Sequence, residues 1–365
     1  MFLQGKGMTI WKILSCEGGN PSAIANVAQS AGFSFVLIKI ADTGVAYNYD
    51  KVNNKDLIPA VVEALRAKGI SVWGWQYVYG YDPIAEARIA ISQMKKYAMD
   101  GFVIDAEQEY KLAGRDAVAR TYMTELRKEL ATTPIALCSY RWPSYHPTFP
   151  WTAFLEKCDF NMPQVYWMLS HDPQAQLQRS VDEFSKIIPV RPIVPMGPAY
   201  SEGGWTPTGA EITWFLQKAQ ALNLSASNFF SWDESHLRQP AIWDAIAKYP
   251  WTVDNTVKDI TDLFIEAMNT HNPDMVTALY AADAVHITGR RTLQGPVNIR
   301  GWYDDLIAHR FPTNTFKLTG VDGTGPTRHF TWTTTSPYGN ITDGNDTFGI
   351  VDGKIAYHYT YFNVT

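Results

Sequence analysis

The sequence predicts an α/β protein in which a (β/α)8 barrel is followed by a smaller α+β domain. Between residues 9 and 248, an apolar run, a polar loop and a segment with helical periodicity repeat eight times. Strands that alternate with helices pair in parallel, and eight such units in about 240 residues match a closed barrel. An open doubly wound sheet is the alternative, but no glycine-rich phosphate loop follows the first strand. After residue 256 the order changes, with helices first and strands afterwards.

The predicted strands of the barrel are short, rich in β-branched and aromatic residues, and followed by polar loops. They cover residues 9–15, 35–40, 70–77, 101–107, 135–140, 159–166, 192–196 and 228–232. The predicted helices carry apolar residues at helical spacing, and they cover residues 20–32, 56–68, 83–97, 115–130, 151–157, 173–187, 209–222 and 240–248. We therefore expect a barrel domain at residues 1–250, a linker at 251–256 and a second domain at 257–365.

Composition and charge exclude several classes of function. Hydrophobic residues make up 46% of the 365 residues and charged residues only 18%, which predicts a well-packed core. The net charge of −5 and the lack of basic runs argue against a nucleic-acid partner. No apolar run reaches the roughly 20 residues that span a bilayer, so we expect no membrane partner. The first residues lack the pattern of a secretory signal, which leaves a cytoplasmic location as the default.

The three cysteines, Cys16, Cys138 and Cys158, show neither the spacing of a disulfide framework nor that of a metal site. We interpret them as small buried hydrophobic residues. The sequence therefore predicts no metal and no cofactor.

The fourth predicted strand carries the strongest sign of chemistry. Asp105 and Glu107 are two residues apart, so in a strand both carboxyl groups point to the same face. Two neighbouring carboxylates repel each other, which separates their pKa values and lets one keep a proton near neutral pH. The structural alternative is a strand end with two solvated acids.

Barrel enzymes place their chemistry at the carboxyl ends of the strands. Polar and aromatic residues at these ends predict a polar cup with aromatic walls, the surface that a carbohydrate needs. The set is Glu17, Lys39, Trp75, Gln76, Tyr77, Asp105, Glu107, Tyr140, Arg141, Gln164, Tyr166, Tyr200, Trp232 and Asp233.

Three of these strands resemble family 18 glycosidases, the chitinases and related endo-acetylglucosaminidases. Residues 100–107, Asp-Gly-Phe-Val-Ile-Asp-Ala-Glu, match the fourth-strand signature except at Val103, where that family usually has an acid. Residues 162–166, Met-Pro-Gln-Val-Tyr, are similar to its sixth-strand element, and residues 229–233, Phe-Phe-Ser-Trp-Asp, to its eighth strand. The layout also resembles family 25 lysozymes, which carry Asp-x-Glu at strand four, although no acid directly follows Gln164 here.

The resemblance implies a role for each matching residue. Glu107 protonates the glycosidic oxygen, and Asp105 orients the acetamido group of the substrate, which attacks the anomeric carbon. Tyr166 donates a hydrogen bond to the acetamido carbonyl, and Trp232 forms the floor under that sugar. The expected substrate is an N-acetylhexosamine polymer such as chitin or peptidoglycan. Because of Val103, a carbohydrate-binding barrel without turnover remains the main alternative.

The last quarter of the chain resembles the nuclear-transport-factor-2-like family, in its polyketide-cyclase-like (SnoaL-like) branch. The residues that carry this likeness are 269–274, 279–285 and the hairpin at 349–355, whose turn is Asp352-Gly353. Predicted helices lie at 257–270, 274–280 and 298–308, and predicted strands at 284–288, 315–321, 327–335, 345–351 and 354–362. The pocket candidates in this segment are His286, Arg328, His329, Asp346 and Tyr357. Such domains serve as enzymes, ligand pockets or dimerisation units, so a cyclase or isomerase site and a homodimer contact are both open.

Overall fold

Residues 3–251, 258–323, 325–336, 339–351 and 353–365 are described by a computed structural model. The chain divides into two compact units, Met1–Val253 and Asp254–Thr365. Apart from Trp251, the predicted linker at 251–256 lies outside the described residues, as does Asp352 of the predicted hairpin turn. In the described ranges, no helix combines the length and the apolar character needed to cross a membrane.

Eight parallel strands form a closed ring in the first unit, which confirms the predicted barrel. Each strand pairs with the next along the chain, and the ring is closed because the first strand pairs with the eighth as well as with the second. The strands are β1 (Gly5–Ile10), β2 (Phe33–Asp42), β3 (Ser71–Val78), β4 (Gly101–Ala106), β5 (Ile135–Tyr140), β6 (Phe160–Gln164), β7 (Met196–Pro198) and β8 (Ala226–Phe230).

Helices connect the strands and surround the ring. They are Pro21–Ser30, Ile58–Arg66, Pro83–Lys96, Arg115–Glu129, Trp151–Leu155, Pro173–Phe184, Gly209–Ala221, Trp232–Ser235 and Pro240–Lys248. Several begin with the same pair, an Asn or Asp cap followed by proline. Asn20, Asp82 and Asp172 each accept a hydrogen bond from the backbone N–H three residues ahead, at 3.0 to 3.1 Å.

Two strands that border the site lie earlier in the chain than the sequence predicts. The first is Gly5–Ile10 rather than 9–15, and the eighth is Ala226–Phe230 rather than 228–232. Glycine weakens strand propensity, which hid the first strand. The fold nevertheless requires Gly7, because a Cβ there would lie 2.0 Å from the ring of Phe35. Residues predicted at the ends of both strands therefore lie beyond them.

The inside of the barrel is packed with aromatic and apolar side chains from alternate positions of the strands. Phe35, Leu37, Trp73, Trp75 and Val103 belong to this interior cluster. At Gly101, a Cβ would lie 2.4 Å from the ring of Trp73, so the glycine that opens β4 leaves room for that indole. The strand that carries the acid pair is thereby held against β3.

The second unit has a six-stranded sheet packed against helices, as the α+β prediction requires. Its strands are β9 (Tyr280–Thr288), β10 (Thr292–Gln294), β11 (Thr315–Asp322), β12 (Thr327–Ser336), β13 (Gly339–Val351) and β14 (Lys354–Tyr361). Their order in the sheet is β10-β9-β14-β13-β12-β11, with only the β9–β14 pair parallel. The helices are Ile260–Asn269, Pro273–Thr277 and Pro296–Tyr303, and a π-helical segment, Asp304–Arg310, follows the last of them. Apolar residues of the helices and the sheet form one core.

Candidate active site

A cavity of about 560 Å³ lies at the carboxyl ends of the barrel strands. Its position follows from its lining, because Tyr140, Gln164 and Phe230 are the last residues of β5, β6 and β8. The lining residues are Thr9, Leu37, Trp75, Val103, Asp105, Glu107, Cys138, Tyr140, Arg141, Trp142, Tyr145, His146, Gln164, Tyr166, Met168, Met196, Tyr200, Glu202 and Phe230. This is the end of the barrel at which the fold collects functional side chains.

The two acids of β4 are bridged by one amide in this cavity. The Nε2 atom of Gln164 donates to Oδ1 of Asp105 at 3.1 Å and to Oε1 of Glu107 at 2.9 Å. Both acids therefore lie within reach of one small group. Their nearest oxygens are closer together than the roughly 6.5–9.5 Å that separates the carboxyl groups of inverting glycosidases.

Burial raises the pKa of both acids. For Asp105, loss of hydration is the largest cause and the charge of Glu107 the next, and together they hold its pKa well above 3.8. For Glu107, burial again raises the pKa above 4.5, while the hydrogen bond from Gln164 opposes the shift because it stabilises the charged form. The pair is therefore poised to keep one proton at a pH where exposed acids are ionised.

Lys39 supplies the positive charge that acts on Asp105. Its side chain is buried, and its ammonium group pairs with Asp42 and lies 4.8 Å from the centroid of the Trp75 ring. This charge favours ionisation of Asp105 and opposes the effect of burial. Lys39 is thus a neighbour of the acid pair that is not part of the cavity wall.

Aromatic rings form one side of the cavity. The ring centroid of Phe230 lies 6.2 Å from that of Trp75 and 6.2 Å from that of Tyr200. The Tyr200 ring packs edge-on against Tyr166, with 5.4 Å between the ring centroids. The hydroxyl of Tyr166 donates to the Met196 sulfur at 3.1 Å. Flat apolar faces beside a bridged acid pair are suited to a ligand with both hydroxyl groups and apolar faces, as sugars have.

Tyr140 and Arg141 also lie in the cavity, as predicted. Tyr140 stacks on His146 at 3.8 Å, and Lys111 lies 4.1 Å from the centroid of the Tyr140 ring. Arg141 lies 4.3 Å from the centroid of Trp142 and donates to the carbonyl oxygen of Tyr166.

Cys138 is a member of the site that the sequence did not reveal. Its sulfur lies 3.5 Å from Nε2 of Gln164, and its thiol also hydrogen-bonds with Asp105. Burial and the charge of Asp105 raise the pKa of the thiol well above 9.0, so it is a neutral group. The period-two pattern of β5 could have placed it beside the acids, since Cys138 pairs directly with Asp105 in the sheet.

Six predicted site residues do not line the cavity. Lys39 is the first, and Tyr77, whose hydroxyl donates to Glu109 at 2.9 Å, is the second.

Gln76 is the third. Gln76 follows Trp75 in β3, and adjacent residues of a strand face opposite sides, so only Trp75 points inward. The buried amide of Gln76 donates to the carbonyl oxygens of Thr43 and Glu86 and accepts from Tyr122, on the helix side of the strand.

Trp232, Glu17 and Asp233 are the other three. Trp232 begins a short helix after β8, where it is buried and its Nε1 donates to Glu17 at 3.1 Å, so it cannot form the predicted floor. Glu17 lies in a turn beyond β1 and also contacts His236 at 2.6 Å. Asp233 accepts hydrogen bonds from the backbone N–H groups of Trp11 and Lys12. These contacts hold the ends of β1 and β8 together.

The predicted pocket of the second unit is partly wrong. Tyr357 is 40% exposed, His329 is exposed and bonded to Thr347, and Arg328 pairs with Asp259. A bulge between β13 and β14 adds one residue, so Tyr357 faces outward although alternation from Ile355 predicts the inside.

His286 and Asp346 are buried, and they belong to a larger polar cluster that the sequence did not reveal. Its centre is His358, which contacts Asp346 at 3.1 Å and the Tyr280 hydroxyl at 2.5 Å. Tyr280 also contacts the hydroxyl of Tyr303 at 2.6 Å. The rings of His286 and His358 stack at 4.1 Å, and burial followed by the neighbouring His358 lowers the pKa of His286 far below 6.5.

Within the described ranges, no three His, Cys, Asp or Glu side chains come together in a way that could hold a metal ion.

The fold and site define two classes. The first unit is a (β/α)8 barrel with a bridged acid pair, and the second is a SnoaL-like α+β domain. The SnoaL-like domain family matches residues 261–358. A search of curated proteins finds no match to the chain.

Similar solved structures cover the second unit. A SnoaL-like family protein from Agrobacterium tumefaciens str. C58 is 21% identical, with 28% of this chain and 94% of that chain covered and a TM-score of 0.26. An NTF2-like protein of unknown function from Burkholderia xenovorans LB400 is 14% identical, with 28% and 80% covered and a TM-score of 0.26. Another from Cytophaga hutchinsonii ATCC 33406 is 12% identical, with 28% and 87% covered and a TM-score of 0.25.

Proposed function

We propose that this protein is a glycoside hydrolase that acts on a polysaccharide containing N-acetylhexosamine. The observation that carries the proposal is the bridge from Gln164 to Asp105 and Glu107 in a cavity of about 560 Å³. Most glycosidases use a pair of carboxyl groups whose pKa values differ, so that one of them keeps a proton near neutral pH.

Glu107 is the proposed general acid. It lies just beyond the end of β4 and lines the cavity, so its proton is presented to a bound ligand. A general acid works best when its pKa lies near the working pH, and burial moves the pKa of Glu107 in that direction. Protonation of the glycosidic oxygen then releases the leaving sugar.

Asp105 and Tyr166 are the proposed partners of the substrate's acetamido group. In the family 18 resemblance, the acetamido oxygen attacks the anomeric carbon, so the protein needs no nucleophile of its own. Asp105 orients and stabilises that group, and the Tyr166 hydroxyl donates to its carbonyl oxygen. The floor under this sugar, expected from Trp232, falls instead to Phe230 and Trp75, the aromatic residues that line the cavity.

A carbohydrate-binding barrel without turnover is the second candidate for this unit. It is favoured by Val103, an apolar residue that lines the cavity where the family 18 pattern has an acid. The neighbours of Asp105 are instead the thiol of Cys138 and the amide of Gln164, neither of which can relay a carboxylic proton.

One experiment separates the two candidates. The purified chain is incubated with soluble N-acetylglucosamine oligomers and with peptidoglycan fragments, and new reducing ends are counted while binding is measured by calorimetry. Release of reducing ends above the no-enzyme rate supports the hydrolase. Binding without release over several days contradicts the hydrolase and supports the binding barrel.

A separate activity of the second unit is a further proposal. It is supported by the buried cluster of Tyr280, Tyr303, Asp346 and His358, whose hydroxyl, carboxyl and imidazole groups suit proton transfer to a small apolar ligand. Chemical-shift changes of the histidine rings on titration with steroid-like and polyketide-like ligands test it. Unchanged histidine signals with every ligand contradict a ligand site at this cluster.

A further inference from the structure

Arg141 is a cation in the cavity that has no acidic partner in the barrel. It lines the cavity and is only partly exposed. Among residues 3–251, no ion pair includes Arg141, and the titratable side chains that act on its guanidinium are Tyr145, Arg179 and Tyr200, none of them an acid with a carboxyl group. Burial lowers the pKa of Arg141, because loss of hydration disfavours the charged form.

Two neighbours fix the orientation of the Arg141 guanidinium. Its Nη1 donates to the carbonyl oxygen of Tyr166, and its Cζ atom lies 4.3 Å from the centroid of the Trp142 ring. A guanidinium has five N–H donors in a rigid fork, so most of them remain for a ligand. That fork matches the two oxygens of a carboxylate.

The surroundings of Arg141 carry further positive charge. Lys111 lies on the ring of Tyr140, next in sequence to Arg141. The pKa of His146, which also lines the cavity, is lowered by burial and then by both Lys111 and Arg141. Glu202 is the acid on this side, but it is exposed, where water and salt screen its charge.

We propose that Arg141 binds a carboxylate carried by the substrate glycan, so the ligand contains an acidic sugar such as a uronic acid or a lactyl ether. One guanidinium without an acidic partner is balanced by a single negative charge. The raised pKa values of Asp105 and Glu107 reduce the negative charge that would repel such a ligand. This inference rests on the proposed glycan specificity of the cavity, but it does not depend on turnover.

Calorimetry on the full chain with Glu107→Gln, which removes turnover, tests the proposal. The neutral probe is a tetrasaccharide of N-acetylglucosamine. The acidic probes are tetrasaccharides in which N-acetylglucosamine alternates with glucuronic acid or with N-acetylmuramic acid. A charged hydrogen-bonded pair predicts that one acidic probe binds at least about tenfold more tightly than the neutral one.

Adding Arg141→Met should remove this preference to within about twofold, and Arg141→Lys should keep only part of it, because the charge remains and the fork is lost. Arg88→Met is the matched control, since Arg88 is exposed on a helix and pairs with Glu125, and the preference should persist in it. If Arg141→Met does not fold, the result with Arg141→Lys decides.

Three outcomes overturn the proposal: equal or tighter binding of the neutral probe, a full preference in both Arg141 variants, or no binding of any probe. Failure of the hydrolase proposal gives a different result. In that case the wild type cleaves no probe, while the preference for an acidic probe and its dependence on Arg141 are still observed.

Discussion

Gln164 donates a hydrogen bond of 2.9 Å to the Oε1 atom of Glu107, the acid at the end of the fourth barrel strand. The same nitrogen reaches Asp105 at 3.1 Å, so one neutral amide holds two acids in a fixed arrangement. Burial raises the pKa of Glu107 and this hydrogen bond lowers it. The balance between the two effects sets the pH at which Glu107 gives up its proton.

Replacing Gln164 by leucine should raise the pKa of Glu107. The charged form loses its donor while burial remains, so the acid keeps its proton to a higher pH. The alkaline limb of the pH–rate profile should move to higher pH, and kcat should fall by roughly 10²-fold because the acids lose their fixed geometry. Carbon NMR of the labelled carboxyl groups gives the pKa directly.

Gln178→Leu is the matched control, because Gln178 is a partly exposed helix residue outside the cavity lining and donates to Asp182. It should leave the profile unchanged. An unchanged titration of Glu107 in the Gln164→Leu variant would show that the amide does not control this acid.

Asp105→Asn should stabilise the barrel at neutral pH. The pKa of Asp105 in the folded protein is well above its ordinary 3.8, so the folded state holds this proton more tightly than the unfolded chain. That stabilising contribution is complete below about pH 3.8 and is lost as the pH rises through the folded pKa. At pH 7.5 the neutral amide should raise Tm by about 2–4 °C for each kcal/mol that it adds to the free energy of unfolding.

Near pH 4 the gain from Asp105→Asn should be smaller, since Asp105 is then protonated in the folded state and already about 40% protonated in the unfolded chain. Asp244→Asn, which alters an exposed pair with Lys248, should change Tm little at either pH. A lower Tm for Asp105→Asn at pH 7.5 would contradict the raised pKa.

The three cysteines should resist alkylation in the folded protein. All are buried, and burial raises the pKa of Cys158 to about 12 and also raises those of Cys16 and Cys138. Because the thiolate is the reactive form, iodoacetamide at pH 8 should label none of them within an hour but all three in denaturant. Mass spectrometry of the peptides reads the result, and rapid labelling of Cys138 would show that it is an accessible thiolate in the cavity.

Asp346→Ala should destabilise the second unit more than most single changes. It removes the carboxylate that lies 3.1 Å from the buried His358 and leaves the Thr360 hydroxyl without its acceptor. Leaving a buried polar group without its partner costs about 1–3 kcal/mol. Chemical unfolding measures this cost, and a double change with His358→Leu should recover part of it. A cost below 1 kcal/mol for Asp346→Ala would show that the pair contributes little.

Periodicity was sufficient to predict the barrel. Eight strand-and-helix units leave few alternatives, and the acid pair could be placed because a recognisable Asp-x-Glu begins within β4 and finishes one residue beyond it. Asp105, Glu107, Gln164 and Tyr166 therefore meet in the cavity as the sequence predicts.

Exact strand ends could not be predicted, and the wrong site residues follow from this. The predicted β1 began four residues too late, and Glu17 in fact lies in a turn beyond the strand. The predicted β8 began two residues too late, and Trp232 in fact lies in the helix that follows it. The prediction for Gln76 was wrong for another reason. Trp75 and Gln76 are adjacent in β3, so only one of the two side chains can point into the barrel. In the second unit, the strand β14 contains a bulge that no local sequence pattern predicts. Because of this bulge, His358 points into the core of the unit and Tyr357 points to its surface.

The most direct test of the central claim compares Glu107→Gln with Glu109→Gln on a chromogenic oligomer of N-acetylglucosamine, or on its acidic counterpart. Glu109 lies two residues further along, where it accepts a hydrogen bond from Tyr77 at 2.9 Å and does not line the cavity. Loss of the general acid should lower kcat/KM by about 10²–10⁴-fold, whereas Glu109→Gln should stay within about threefold of wild type. Equal rates for Glu107→Gln and the wild type would contradict a hydrolytic role for this acid pair.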